Sequence, residues 1–487
     1  MGILVVDVGT SGLRAAVVRE DGSVNFLNYE SCRPDTPTPG HVEFDPQKMS
    51  DAILRVCNAT ISQSKNSDKI EAVGITNQRA STVMWSKSTG KPLGPALGWQ
   101  DLRTVIECIT AASDHSIKLA PNQTATKAAW MIQNYLVAKN LDLSDVRIGT
   151  VDSWVASVLS NNELHVTDST NAGATGLCTI DASSWSERIC GLLEVDVSLL
   201  PKIVKSTGVI GNATALPGAP VIASLIGDQQ SSLIGQGCIN SGATKITFGT
   251  GGMLDVFTGT AGPTRMQRSE NGSYPLVAYS DEQTTYWAAE AIMLSAGTNI
   301  EWLRDDLQII STSQESHEIA SQVKDSGGVV FVPALFGLGT PHWDYGARGT
   351  LLGLTRGTTR AHIVRAVLEG IAHRGADMLD AVIADTKLSV SSLRVDGGMS
   401  ENQTFTQSLA NATGLNIEIS PVAEATTLGA AFLAGIAVGT WPSIAQATTT
   451  AKPAKVVTPT EKLDRAQWHE AIDRSRGWIA SLSSLDF

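Results

Sequence analysis

Apolar residues fall in short blocks along this chain, and glycine turns close most of them. Residues 3–6 (Ile-Leu-Val-Val) form one block, the composition of a buried strand. It runs into Asp7-Val8-Gly9-Thr10-Ser11-Gly12, and apolar character resumes over residues 14–18. That order predicts strand, tight turn, strand. Asp21-Gly22 is a second turn signal with a further strand behind it. Residues 72–76 and 219–226 read as buried strands. The latter runs into Gly227-Asp228-Gln229-Gln230, and residues 231–235 continue with helical character. Over residues 126–136 the apolar positions recur at helical spacing.

The second half repeats the opening motif. Residues 245–256 predict a hairpin around Phe248-Gly249-Thr250-Gly251-Gly252-Met253. Both turns carry Gly-Thr, one residue, then Gly, between strand-like arms about half a chain apart. A unit recurring at that distance predicts two related domains facing each other, although two unrelated glycine turns would read the same way. Residues 329–333 and 393–396 are further strands, with a turn at Asp396-Gly397-Gly398-Met399. Residues 402–412 and 427–438 are helices, the second rich in small residues and suited to close packing. The tail after residue 451 is more polar, then helical from about residue 461. No long Pro-, Ser- or charge-rich linker intervenes. The boundary is therefore expected at a packed hinge near residues 233–240, giving domains 1–235 and 236–487.

Bulk composition narrows the classes. At 487 residues the chain exceeds what a single core usually supports. Its 42% hydrophobic and 17% charged residues are those of a globular protein rather than a disordered one. A net charge of -12 argues against nucleic acid as a partner. It leaves nucleotides open, because a local set of backbone N–H groups and cations binds phosphate. The cysteines (Cys32, Cys57, Cys108, Cys178, Cys190 and Cys238) form no C-x-x-C pair and no zinc spacing. They suggest a reducing compartment. Residues 1–7 lack the basic region and cleavage site of a signal peptide, and the longest apolar stretch, near 428–438, is too short to cross a bilayer. The expectation is a cytoplasmic protein without a membrane partner.

The sequence lacks a P-loop, a G-x-G-x-x-G fingerprint, H-E-x-x-H and G-x-S-x-G. What remains is two glycine hairpins and an acidic strand end. Glycines admit close approach of backbone N–H groups to an anion, and small hydroxyls add donors. Thr10, Ser11 and Gly12 would hold terminal phosphates from one side, and Thr250 and Gly251 from the other. Arg14 would add positive charge, and Asp7 would hold Mg2+ through oxygen or water ligands. Two ordinary hairpins, with Asp7 merely ending a strand, are the alternative. Asp228, at a strand end, is placed to accept a proton from a hydroxyl during phosphoryl transfer; a helix N-cap is its bland alternative.

Taken together, these motifs resemble those of the FGGY carbohydrate kinases. The resemblance rests on Asp7-x-Gly9-Thr10, Ile75-Thr76-Asn77-Gln78-Arg79, Trp99-Gln100-Asp101, residues 149–154, Thr167-Asp168 and Gly227-Asp228-Gln229-Gln230. It continues through Gly249-Thr250-Gly251, Trp302-Leu303-Arg304, residues 337–343, residues 349–369, Asp396-Gly397-Gly398 and residues 428–431. It covers nearly the whole chain in order. Within the family the similarity is greatest to glycerol kinases, because Asn77-Gln78-Arg79 stands where xylulokinases carry Met-His-Gly.

The resemblance implies an α/β fold of two actin/Hsp70-like (ribonuclease H-like) ATPase domains. ATP, Mg2+ and a small polyol or sugar would meet in the cleft between them. By position, Asp228 is the general base, and the metal lies near Asp7 and Asp228. Gln229 is a polyol ligand, and Arg79 and Trp99 line the pocket. Thr10, Ser11, Gly12 and Arg14 meet the phosphates. Thr250, Gly251, Gly297, Gly398 and Asn402 fall at ATP contacts, as does Glu301, where glycerol kinases often carry Gln. A homodimer is implied on the same basis.

Three pocket positions depart from glycerol kinases: Ala80 replaces a Glu, Asn122 a Tyr and Met253 a Phe. A carboxylate hydrogen bond to a hydroxyl is worth roughly 1.5–3 kcal/mol. Its loss, with more room in the pocket, predicts an acceptor larger than glycerol, a tetritol, a pentitol or a ketose; glycerol itself is the alternative, with water or a loop shift restoring its binding. A xylulokinase-like ketose kinase is one alternative. A non-catalytic, nucleotide-dependent sugar sensor on the same fold is another.

Overall fold

The computed structural model describes residues 2–64, 68–420 and 425–485. The predicted blocks become strands of two mixed sheets. In the N-terminal sheet these are β1 (Gly2–Val8), β2 (Gly12–Arg19), β3 (Val24–Ser31), β4 (Ile70–Asn77) and β5 (Val221–Gly227). Across the sheet the order is Thr207–Asn212, β5, β4, β1, β2, β3. β1 is antiparallel to β2 and parallel to β4, and β4 is parallel to β5. A strand covered on both faces needs apolar residues without alternation, and every residue of β1 is buried.

The C-terminal sheet repeats this plan. Its strands are β6 (Thr244–Phe248), β7 (Gly252–Gly259), β8 (Thr285–Met293), β9 (Ser392–Asp396) and β10 (Asn416–Ile419). They run in the order Tyr274–Ser280, β8, β7, β6, β9, β10, Lys455–Val457. β6 pairs antiparallel with β7 and parallel with β9, as β1 does with β2 and β4. The recurrence of the Gly-Thr turn is therefore a recurrence of fold, not a coincidence of letters.

Five helices matter for the site: α1 (Pro46–Ser64), α2 (Asp228–Gly235), α3 (Arg360–Thr386), α4 (Gln403–Thr413) and α5 (Ala425–Ala437). α5 lies against α2 and against β1, β4 and β5. The two helices touch backbone to backbone. A Cβ on Gly235 would lie 1.9 Å from the Ala425 oxygen, and one on Gly429 would lie 1.9 Å from the Ser231 oxygen. This explains the small-residue composition of α5. One buried cluster joins the halves: Ile3 and Val5 of β1 and Leu233 of α2 share it with Phe257, Leu276 and Phe432.

The predicted helix over residues 126–136 is α-helical over Thr124–Met131 and widens to a π-turn over Ile132–Val137. All six cysteines are free thiols. Among the described residues no helix is long and apolar enough to cross a membrane.

Candidate active site

The turn between β1 and β2 closes with the Gly9 N–H donating to the Gly12 carbonyl at 3.0 Å. Beneath it Asp7 and Arg14 are cross-strand partners, with Arg14 Nε 3.5 Å from Asp7 Oδ2. Arg14 thus spends its charge on Asp7 in this state. A ring of hydrogen bonds ties the turn to the loop after β4. The Trp99 indole N–H donates to Thr10 Oγ1 at 3.0 Å, and the Trp99 backbone N–H to Ser81 Oγ at 2.9 Å. Ser81 Oγ donates to Gln78 Oε1 at 2.9 Å, and Gln78 Nε2 returns to the Gly9 carbonyl at 3.2 Å. These bonds link Trp99 and the loop after β4 to the Gly-Thr turn. Gln78 and Ser81 were not among the candidate residues; only the position of Gln78 inside the motif before Arg79 pointed to it.

Arg79 follows directly on this loop and reaches two carboxylates. Its Nη2 donates to Glu290 Oε1 on β8 at 2.5 Å, and its Nε lies 3.8 Å from Asp228 Oδ1. The side-chain stem passes over the end of β5, where a Cβ on Gly227 would stand 2.9 Å from Arg79 Cγ. A glycine there is what admits it. Burial works against a charged Arg79, but Glu290, Asp228 and Asp255 outweigh it and keep the guanidinium protonated.

Asp228 is the first residue of α2, with Gly227 at the cap position. Its Oδ1 accepts the N–H of its own neighbour in the helix, Gln229, at 2.8 Å. The N-cap position falls to Gly227, so Asp228 stands one residue inside the helix rather than at its cap. The carboxylate is 28% exposed. Burial pushes its pKa above the ordinary carboxylate range, against the opposing charges of Arg79 and Lys245. Next to it, Gln229 Oε1 accepts from Lys245 Nζ at 2.7 Å, and the same ammonium pairs with Asp255 Oδ2 at 2.8 Å.

The ends of β4 and β5 are held from behind by a buried network around Asp168. Asp168 accepts from the backbone N–H groups of Thr170 and Asn171 and from Ser206 Oγ. Asn171 bonds Asn77, and Thr170 Oγ1 accepts the Gly227 N–H at 2.8 Å. The Thr167-Asp168 motif thus supports the strand ends from the interior.

Ala80 is buried with a left-handed backbone, φ 62°, and its carbonyl accepts from Thr124 Oγ1 at 3.2 Å. Asn122 is exposed on the adjoining loop, where its carbonyl accepts from Lys127 Nζ at 3.2 Å. Burial lowers the Lys127 pKa to about 7. Met253 is half-buried on β7, two residues before Asp255 and on the same face.

On the C-terminal side, Thr250 is exposed at the tip of the β6–β7 hairpin. The Gly297 and Ala296 N–H groups donate to the Gly249 and Thr250 carbonyls at 2.9 and 2.8 Å, so Gly297 supports the hairpin from behind. Asn402 caps α4 by accepting the Phe405 N–H at 3.0 Å and donates to Ser316 Oγ at 2.9 Å. Glu301 is exposed at the end of the short helix Thr298–Glu301. Asp396, read from sequence merely as part of a turn, ends β9 and is buried. Its Oδ2 accepts from Ser232 of α2 at 3.1 Å, while its Oδ1 has no hydrogen-bond partner among the described residues.

Two sheets of one topology, tied together by the contacts of Arg79 with Glu290, Gln229 with Lys245 and Ser232 with Asp396 and carrying matched glycine hairpins, define a two-domain protein of the actin/Hsp70-like ATPase fold. The model of the FGGY family of carbohydrate kinases, N-terminal domain, matches residues 2–235, and that of the C-terminal domain matches residues 244–438. The chain belongs to the FGGY family of carbohydrate kinases. It is 37% identical over 494 residues to a glycerol kinase of Trichlorobacter lovleyi, covering 98% of this chain and 99% of the relative. It is 37% identical over 495 residues to glycerol kinase 2 of Thermotoga maritima, with the same coverage. Among solved structures, Plasmodium falciparum glycerol kinase with ADP superposes with a TM-score of 0.90 at 30% identity, covering 97% of this chain and 98% of that one. Ligand-bound xylulose kinase from Lactobacillus acidophilus shares the fold, with a TM-score of 0.85 at 22% identity over 99% of this chain and 98% of that one.

Proposed function

We propose that this protein transfers a phosphoryl group from ATP to a terminal hydroxyl of a small polyol or sugar, with Asp228 as the general base. Residues 1–235 bind the acceptor and residues 236–487 the nucleotide. The observation that carries the reading is the Asp228 carboxylate itself, part-exposed at the head of α2 with the Arg79 guanidinium 3.8 Å away.

The residues present fit Mg-ATP. A Cβ on Gly249 or on Gly398 would meet nothing within 4 Å, so backbone lies open beside the hairpin for phosphate or sugar oxygens. Asp396 Oδ1 is a buried oxygen with no partner among the described residues, and Asp7 stands next to the end of β1, a central strand of the other sheet. Among the described residues no group of three or more His, Cys, Asp or Glu gathers into a cage. That suits Mg2+, which keeps waters and phosphate ligands and takes one or two carboxylates. When bound, the ion neutralises charge on the phosphates.

Within this chain the steps divide as follows. Arg79 and Gln229 orient the acceptor against Asp228. Thr10, Ser11, Gly12 and Arg14 approach the terminal phosphates from one side, and Thr250 and Gly251 from the other. Closure expels water, a competing acceptor. As the hydroxyl oxygen attacks, its proton passes to Asp228. Ala80, Asn122 and Met253 leave room for an acceptor of four or five carbons. A panel of glycerol, erythritol, xylitol, xylulose and ribulose, read by coupled ADP detection, tests this. Higher kcat/KM on glycerol than on every longer acceptor would refute the size assignment, and no acceptor-dependent ADP would refute the activity.

A further inference from the structure

Lys245, Asp255 and Glu290 stand side by side on β6, β7 and β8, each the cross-strand partner of the next. They are 0%, 1% and 6% exposed. A fold has little reason to place two carboxylates opposite each other in its interior, because like charges across strands destabilise. Replacing a buried ion pair by apolar residues is moreover often neutral or stabilising. Beyond the Lys245 ammonium, neither oxygen of Asp255 takes a hydrogen bond from any described residue.

The ends of this ladder reach the acceptor side. Glu290 holds Arg79, and Lys245 holds the carboxamide oxygen of Gln229 at 2.7 Å. A carboxamide whose oxygen is engaged has its NH2 group left to offer. We propose that Asp255 is a positioning residue for the acceptor: through Lys245 it fixes the Gln229 carboxamide so that its NH2 donors stand beside the Asp228 carboxylate. A donor next to a proton acceptor matches a vicinal diol, one hydroxyl giving its proton to Asp228 and the neighbouring oxygen accepting from Gln229. The inference rests on the reading of Gln229 as an acceptor ligand.

Steady-state kinetics with glycerol, erythritol and xylitol test it, using Asp255→Asn, Gln229→Ala and the two combined. Asp255→Asn raises the KM of the best of these acceptors about tenfold, the scale of one charge-assisted hydrogen bond, and leaves the KM for ATP unchanged. In the Gln229→Ala background it adds nothing further, because both changes remove the same contact. Lys245→Met combined with Asp255→Leu removes both charges together, preserves a packed interior and shows the same acceptor defect. An unchanged acceptor KM, an equal rise in the KM for ATP, or effects that multiply with Gln229→Ala would overturn the proposal. If Gln229→Ala itself leaves the acceptor KM unchanged, the ligand assignment of Gln229 fails, and the inference with it.

Discussion

The two sheets share one connectivity and differ at their ends. In the N-terminal sheet Asp7 of β1 stands in register with Thr76 of β4; in the C-terminal sheet Thr247 of β6 stands in register with Asp396 of β9. Carboxylate and threonine have changed places between the two central strands. The next strand out widens the contrast. β5 runs into Asp228, whereas β10 runs into Ser420. The N-terminal sheet thus ends in Asp228, a carboxylate reached by Arg79, and the C-terminal sheet in small residues and in Asp396, whose Oδ1 has no hydrogen-bond partner among the described residues. If the proposed division of labour holds, strand-end residues set it, since the connectivity is the same in both halves.

The strongest way to break that division is to remove the base. Asp228→Asn should lower kcat by about 10²- to 10⁴-fold while ATP binding, measured by calorimetry, stays intact. Turnover near normal would leave the N-terminal end with no special chemistry. Arg79→Met should cost about 3–5 kcal/mol of stability, because it strands Glu290 as an unpaired buried charge. An unchanged denaturation midpoint would show the ion pair to be unimportant to the folded state. At the C-terminal end, Asp396→Asn should raise the KM for Mg-ATP about ten- to a hundredfold, the scale of one interaction with a charged group, and spare the acceptor KM. A defect confined to the acceptor would reverse the assignment of the two ends.

The smallest effect is in pH. Burial raises the Asp228 pKa, and a base acts in its ionised form, so activity should fall with decreasing pH through a midpoint above the ordinary carboxylate range. The negative charge of Asp255 contributes to that rise, so Asp255→Asn should move the midpoint downward. A profile of kcat/KM against pH for both proteins would show it, and a midpoint at or below the ordinary range would contradict the assigned cause. The same sign makes ionised Asp228 unfavourable to folding, its contribution being lost as pH rises through the folded value.

Much of the scaffold was legible in the sequence. The β1–β2 and β6–β7 hairpins announced themselves as apolar blocks closed by glycine, and β4, β5 and β9 lie within a few residues of the expected spans. The pocket was legible through family resemblance alone. Asp228 at a helix start reads as a cap, whereas the fold puts Gly227 at the cap and Asp228 one residue further in. The charge ladder was invisible for another reason. Lys245, Asp255 and Glu290 interrupt strands whose pattern says only that they are buried, and their pairing depends on register between strands. Arg79 and Glu290 meet across 211 residues of chain, a distance that periodicity cannot bridge. Trp99 and Thr10 were assigned to separate groups, and the indole-to-hydroxyl bond between them emerged from the fold.

A crystal structure with a non-hydrolysable ATP analogue, Mg2+ and the best acceptor of the panel tests the division of labour most directly. The account predicts an acceptor hydroxyl about 2.6–3.2 Å from the Asp228 carboxylate, with the nucleotide on the C-terminal sheet and its phosphates between the two hairpins. An acceptor bound out of reach of Asp228, or a nucleotide seated on the N-terminal sheet, would contradict it.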